Sequence, residues 1–213
     1  MTSSALKEKS RPTMFYFLKD PSNICSLAGL LSSVTGIYLC ILGKHNFSLI
    51  AVLWAVVFDW LDGIIARNLK SRTDSHKAVG AQLDSLIDIV SFGVFPALFL
   101  LSYGNFSLLY LPGAFLILSA AALRLSYFNV FGMIDKHTYE GLALDNNVII
   151  LSFIFIFSKL IPQNIFSIII YALLILLLPL NLAPIKTHKF GGKWFYVLFA
   201  YTAIMTVHYA VFH

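Results

Sequence analysis

Seven long apolar segments alternate with short polar connections along the chain. They run over about 22–43, 47–67, 80–102, 106–128, 146–160, 163–182 and 194–212. Most of them reach the roughly 20 apolar residues that a bilayer-crossing helix needs; the fifth is shorter. Pro21-Ser22-Asn23 supplies start signals for the first segment. Within it Gly29, Ser32, Ser33 and Gly36 recur at three- and four-residue spacing, a face suited to close helix contact in lipid. Ahead of it, residues 1–21 form a basic arm with Lys7, Lys9, Arg11 and Lys19. In that arm Met14–Leu18 reads as a short amphipathic helix lying in the membrane interface, and the arm is too polar to read as a cleavable signal peptide. The predicted fold is all-α, a polytopic membrane helix bundle of about seven transmembrane helices. Residues 22–213 form its single membrane domain.

Composition agrees with that pattern. The chain has 213 residues, of which 59% are hydrophobic and 12% charged, and its mean hydropathy is +0.82. A soluble domain carries about 25% charge. The net charge of +5 would direct attention to nucleic acid in a soluble protein. Here the cations cluster at segment ends and report topology instead, so no nucleic-acid partner is expected. With seven crossings, thirteen of the fifteen Lys and Arg residues fall on the side of the amino terminus, leaving Lys44 and Lys159 opposite. The positive-inside rule then puts the amino terminus in the cytoplasm and the carboxyl terminus across the membrane. Cys25 and Cys40 lie in one segment and read as small core residues. The aromatic residues Trp194, Phe195, Tyr196 and Tyr201 read as interfacial belt and packing residues.

The candidate chemistry lies between Asp59 and Asp88. Asp59 and Asp62 are three residues apart, and Asp84 and Asp88 four, so each pair shares a helix face. Antiparallel neighbouring segments bring both pairs to one membrane face. Ionisable groups within a membrane cost roughly 2.5–3.5 kcal/mol each, about 10 kcal/mol for four. Arg67 can offset one charge; two divalent cations would balance four carboxylates and attract a diphosphate. Gly63 and Ala66 would let a ligand approach the backbone, and Arg67 offers a planar fork for phosphate. The competing reading of the same carboxylates is a cation carrier, although carriers place them near mid-membrane on broken helices.

Asp59-x2-Asp62-Gly63-x2-Ala66-Arg67 followed by Gly80-x3-Asp84-x3-Asp88 resembles the signature of the CDP-alcohol phosphotransferase family, with twelve residues between Arg67 and Gly80 where about eight are usual. The resemblance implies a six-helix family core plus one and an enzyme of phospholipid synthesis. Such an enzyme displaces CMP from a CDP-linked donor with an alcohol, using two Mg²⁺ or Mn²⁺ ions. It implies that Asp59, Asp62, Asp84 and Asp88 hold the metals and that Asp88 is also the catalytic base. Asp62, Gly63, Ala66, Arg67 and Gly80 would bind CDP. A homodimer in a bacterial-type inner membrane is likewise implied, with membrane lipids as surroundings.

Asp84-Ser85-x2-Asp88-x2-Ser91-Phe92-Gly93-x2-Pro96-Ala97, Arg124-Leu125-x2-Phe128-Asn129-Val130 and Glu140-Gly141-Leu142 are similar to the phosphatidylserine synthase branch. That branch implies CDP-diacylglycerol as donor and L-serine as acceptor. The long spacer, Ala143-Leu144-Asp145-Asn146-Asn147, and Leu178-Pro179-Leu180-Asn181 before Pro184 are more similar to bacterial phosphatidylcholine synthases, which use choline. Choline would favour an aromatic cage, for which Tyr127, Phe128, Phe131 and Tyr139 are available. Serine needs partners for a carboxylate and an amine, and Arg124 or Lys136 with Glu140 or Asp145 supply them. Arg124, Asn129 and Lys136 are the candidates for acceptor or lipid-phosphate binding.

Overall fold

The computed structural model describes residues 12–134, 138–188 and 192–212; the basic residues Lys7, Lys9, Arg11, Lys136 and Lys189 lie outside them. A short helix α1 (Met14–Phe17) precedes α2 (Pro21–Ile41), α3 (His45–Asn68) and α4 (Asp74–Asp88). The last of these runs through a π-helix (Ile89–Val94) into α5 (Phe95–Tyr103). A 3₁₀ turn (Leu108–Tyr110) leads into α6 (Leu111–Phe131), strand β1 (Thr138–Glu140) and α7 (Asp145–Phe155). Helix α7 continues as a 3₁₀ segment (Ile156–Leu160), and α8 (Gln163–Leu182), strand β2 (Lys186–His188) and α9 (Trp194–Val211) complete the fold.

Local chemistry accounts for the main boundaries. Helix α2 starts where Asp20 accepts from the Ser22 amide at 3.0 Å and Pro21 takes a first-turn position. It ends before Gly43, at φ +71°. Helix α4 begins six residues before the predicted Gly80, because Thr73 caps it by accepting from the His76 amide and Asp74 favours the first turn. The polar residues 74–79 hid this start from a reading based on apolar runs. The two short strands were not predicted either; they pair antiparallel, with Tyr139 opposite Thr187.

Among the described residues, six helices are long and apolar enough to cross a membrane, by length and composition: Pro21–Ile41, His45–Asn68, Asp74–Tyr103, Leu108–Phe131, Gln163–Leu182 and Trp194–Val211. The predicted fifth segment is too short to join them by that measure, yet it traverses the same bundle. Asn147, near its start, bonds Asn181 at the end of α8 (2.9 Å). At its other end Lys159 Nζ donates to the Phe212 carbonyl just beyond α9 (2.6 Å). Eleven α-helical and five 3₁₀ residues rise about 26 Å, and the 18 residues of α9 rise about 27 Å. Tighter winding thus lets sixteen residues match eighteen.

Helices α2 and α3 pack closely. A Cβ at Gly29 would lie 3.1 Å from Phe58 Cβ, and one at Gly36 3.1 Å from the Ser48 carbonyl oxygen. Ser32 donates to the Ala51 carbonyl at 2.7 Å. The small-residue face is therefore filled by α3 of the same chain. Cys25 and Cys40 are free and buried. At the end away from the aspartates His45, Phe99, Tyr103 and Phe155 pack ring to ring.

Candidate active site

The end of the bundle where α3 finishes and α4 starts holds a cavity of about 200 Å³. Asp59 comes from α3, Asp84 and Asp88 from α4. One carboxylate oxygen of each lies within 4.8 Å of the others. The three-residue and four-residue spacings turn these groups inward because both helices keep regular geometry through the motif. A π-helix starts at Ile89, directly after Asp88; such bulges recur at functional sites because they shift the register of the helix beyond them. Asp88 Oδ1 is buried with no hydrogen-bond partner. Three clustered oxygen donors, one of them orphaned, fit a hard divalent cation.

Asp62 borders the same cavity but stands apart from that group. Its carboxylate accepts from Ser26 Oγ of α2, and its backbone carbonyl accepts from Ser22 Oγ at 3.1 Å. Gly63 and Arg67 also line the cavity. A Cβ on Gly63 would sit 3.3 Å from Arg67 Nη1, so the missing side chain makes room for that guanidinium. Among the described residues neither ion pair involves Arg67: Arg72 pairs with Asp20 and Lys77 with Asp74.

The cavity's other wall comes from α6, the β1 connection and α7. Arg124, Phe128, Tyr139 and Asp145 line it, joined by Trp60 of α3 and Phe195 of α9. Trp60 Nε1 donates to Asp145 Oδ2 at 2.8 Å. Arg124 lies over the Tyr139 ring, 5.9 Å from its centroid, and its Nε is buried without a partner. Burial, with Asp145 adding to it, pushes the Tyr139 phenol up to about 12, so it stays a neutral hydroxyl.

Several predicted residues fall elsewhere. Ala66, Gly80 and Asn129 are not in the cavity lining. A Cβ on Gly80 would strike Arg72 Nη2 and lie 3.1 Å from Asn23 Oδ1, so Gly80 admits the arginine that ties the α3–α4 connection to α2. Asn129 is exposed and accepts from Ser85 Oγ at 2.8 Å, bracing α6 against α4. Lys136 lies outside the described residues. Of the proposed cage, Phe128 and Tyr139 face the cavity, whereas Tyr127 and Phe131 do not; Tyr127 donates to Glu140 at 2.8 Å. Trp60 and Phe195 were missed: Phe195 read as a belt residue, and nothing local marks Trp60 as a partner for a residue 85 positions away.

Comparison with known proteins places this geometry in a family. The family model for CDP-alcohol phosphatidyltransferase matches residues 21–211. The CDP-diacylglycerol–serine O-phosphatidyltransferase of Methanocaldococcus jannaschii is 33% identical over 180 residues, covering 84% of this chain and 80% of that protein. The archaetidylserine synthase of Methanothermobacter thermautotrophicus is 40% identical over 119 residues, 55% of this chain and 49% of that protein. The Saccharomyces cerevisiae CDP-diacylglycerol–serine O-phosphatidyltransferase is 37% identical over 109 residues, 48% of this chain and 37% of that one. The match extends well past the aspartate stretch and takes in all six of the long apolar helices, so the chain is a multi-pass membrane protein that belongs to the CDP-alcohol phosphatidyltransferase family.

Proposed function

We propose that this protein transfers the phosphatidyl group of CDP-diacylglycerol to the hydroxyl of L-serine, releasing CMP. The observation that carries the reading is the meeting of Asp59, Asp84 and Asp88 from two helices under the family's motif. Asp59, Asp62, Asp84 and Asp88 would hold two divalent cations, Mg²⁺ or Mn²⁺. Bound there, such ions would offset the carboxylate charge and supply electrostatic stabilisation for a departing nucleotide. Arg67, beside Gly63, would receive the diphosphate. Asp88 takes the serine hydroxyl proton as the oxygen bonds to the β-phosphorus and the bond from that phosphorus to the CMP oxygen breaks. Gly80 serves this site at one remove, through Arg72. The charge distribution supports a cytoplasmic site.

Serine is favoured over choline by Arg124. The cation position over Tyr139 is already taken by its guanidinium, which repels a quaternary ammonium and attracts a carboxylate. The names of all three relatives also share serine, and two of them name CDP-diacylglycerol as well. Purified protein in mixed micelles of CDP-diacylglycerol should release CMP only with Mg²⁺ or Mn²⁺ and serine, and chelation should abolish release. Asp88→Asn should lower kcat by about 10²–10⁴-fold; near-normal turnover in that variant would refute the base assignment.

A further inference from the structure

We infer that Asp145, oriented by Trp60, binds the acceptor's ammonium group, opposite Arg124 as the partner of its carboxylate. The inference rests on the serine reading and names the residues that would give that reading its specificity. Asp145 is 8% exposed, yet it borders the cavity. Trp60 Nε1 holds one of its oxygens at 2.8 Å, and the Asn146 amide and side chain hold the other at 3.0 and 3.2 Å. All three donors are neutral, so they orient the carboxylate without cancelling its charge. The two ion pairs of the described residues involve neither Asp145 nor Arg124. A buried charge without an ion-pair partner is costly, and Asp145 and Arg124 bring opposite charges to this wall of the cavity while standing beyond ion-pair distance of each other.

A small zwitterion with a hydroxyl meets both needs at once. Choline or ethanolamine would satisfy Asp145 and leave Arg124 unmatched. Inositol would satisfy neither charge, and glycerol phosphate would bring a second anion against Asp145. Asp145 is separate from the three-carboxylate group, which leaves the acceptor beside the reacting centre. Trp60 immediately follows Asp59 in α3, so one helix turn orients both halves of the site. Trp60 is a positioning residue here and Asp145 a binding one.

The test compares L-serine, 3-hydroxypropanoate (serine without its amine) and ethanolamine (serine without its carboxylate) as acceptors. CMP release is measured in the same CDP-diacylglycerol micelles. The wild type should prefer serine over either analogue by on the order of 100-fold or more in kcat/KM. Asp145→Asn, which keeps the shape, should raise the serine KM at least about tenfold and lower kcat far less. It should also bring serine and 3-hydroxypropanoate within about threefold of each other. Trp60→Phe should raise the serine KM with kcat retained. A wild type that uses 3-hydroxypropanoate as well as serine overturns the inference without any variant, as does Asp145→Asn with unchanged KM and selectivity. A wild type inert towards serine and active with choline instead overturns the proposed function itself.

Discussion

Asp59 and Asp62 sit one turn apart on α3 and have different surroundings. Asp59 joins Asp84 and Asp88, while Asp62 turns to Ser26 on α2. The i,i+3 and i,i+4 spacings made all four aspartates visible in the sequence, because helical periodicity alone sets which side chains share a face. The contacts between helices were not visible: Ser26 of α2 reaches Asp62, and Trp60 of α3 reaches Asp145 of α7. Arg72 shows the same limit: it counted only as a topological charge. In the fold its Nε meets Asp20 at 2.7 Å and its Nη2 donates to the His76 carbonyl at 3.2 Å. Arg72→Ala leaves Asp20 buried without its counter-charge. It should cost about 3 kcal/mol of stability, read as a lowered thermal midpoint in detergent with part of the loss recovered by Arg72→Lys.

Among the elements, the apolar helices were legible throughout because each must satisfy its own backbone in lipid. Three features lay beyond that rule. The first turns of α4 are polar, β1 and β2 are held by tertiary pairing, and the π-helix changes winding within an unbroken apolar run. The α2–α3 contact, in contrast, followed directly from small-residue spacing, and the partner proved to be the next helix in the chain. Gly36→Leu should therefore push α2 off the Ser48 carbonyl and cost roughly 1–3 kcal/mol. A thermal midpoint equal to that of the wild type would show that the face is not packed as described.

Over the whole molecule, the alternating direction of successive helices sorts the chain into two faces. Lys70 and Lys193 belong with the cavity, and Lys44 and Lys159 with the opposite end. By the positive-inside rule the more basic face would be the cytoplasmic one. Because both native cysteines are buried, single replacements can report it. Lys70→Cys should react with a membrane-impermeant maleimide in inverted vesicles, and Lys44→Cys in intact cells; the reverse pattern would invert the topology.

The adjacency of Asp59 and Trp60 has a thermodynamic consequence. One residue belongs to the carboxylate group and the next holds Asp145, so a shift of that single turn alters both. If filling the carboxylate cluster tightens serine binding by some factor, bound serine must tighten the cluster's hold on its cations by the same factor. Such reciprocity would make the fully loaded site more populated than two independent equilibria allow, with the half-loaded forms correspondingly scarce.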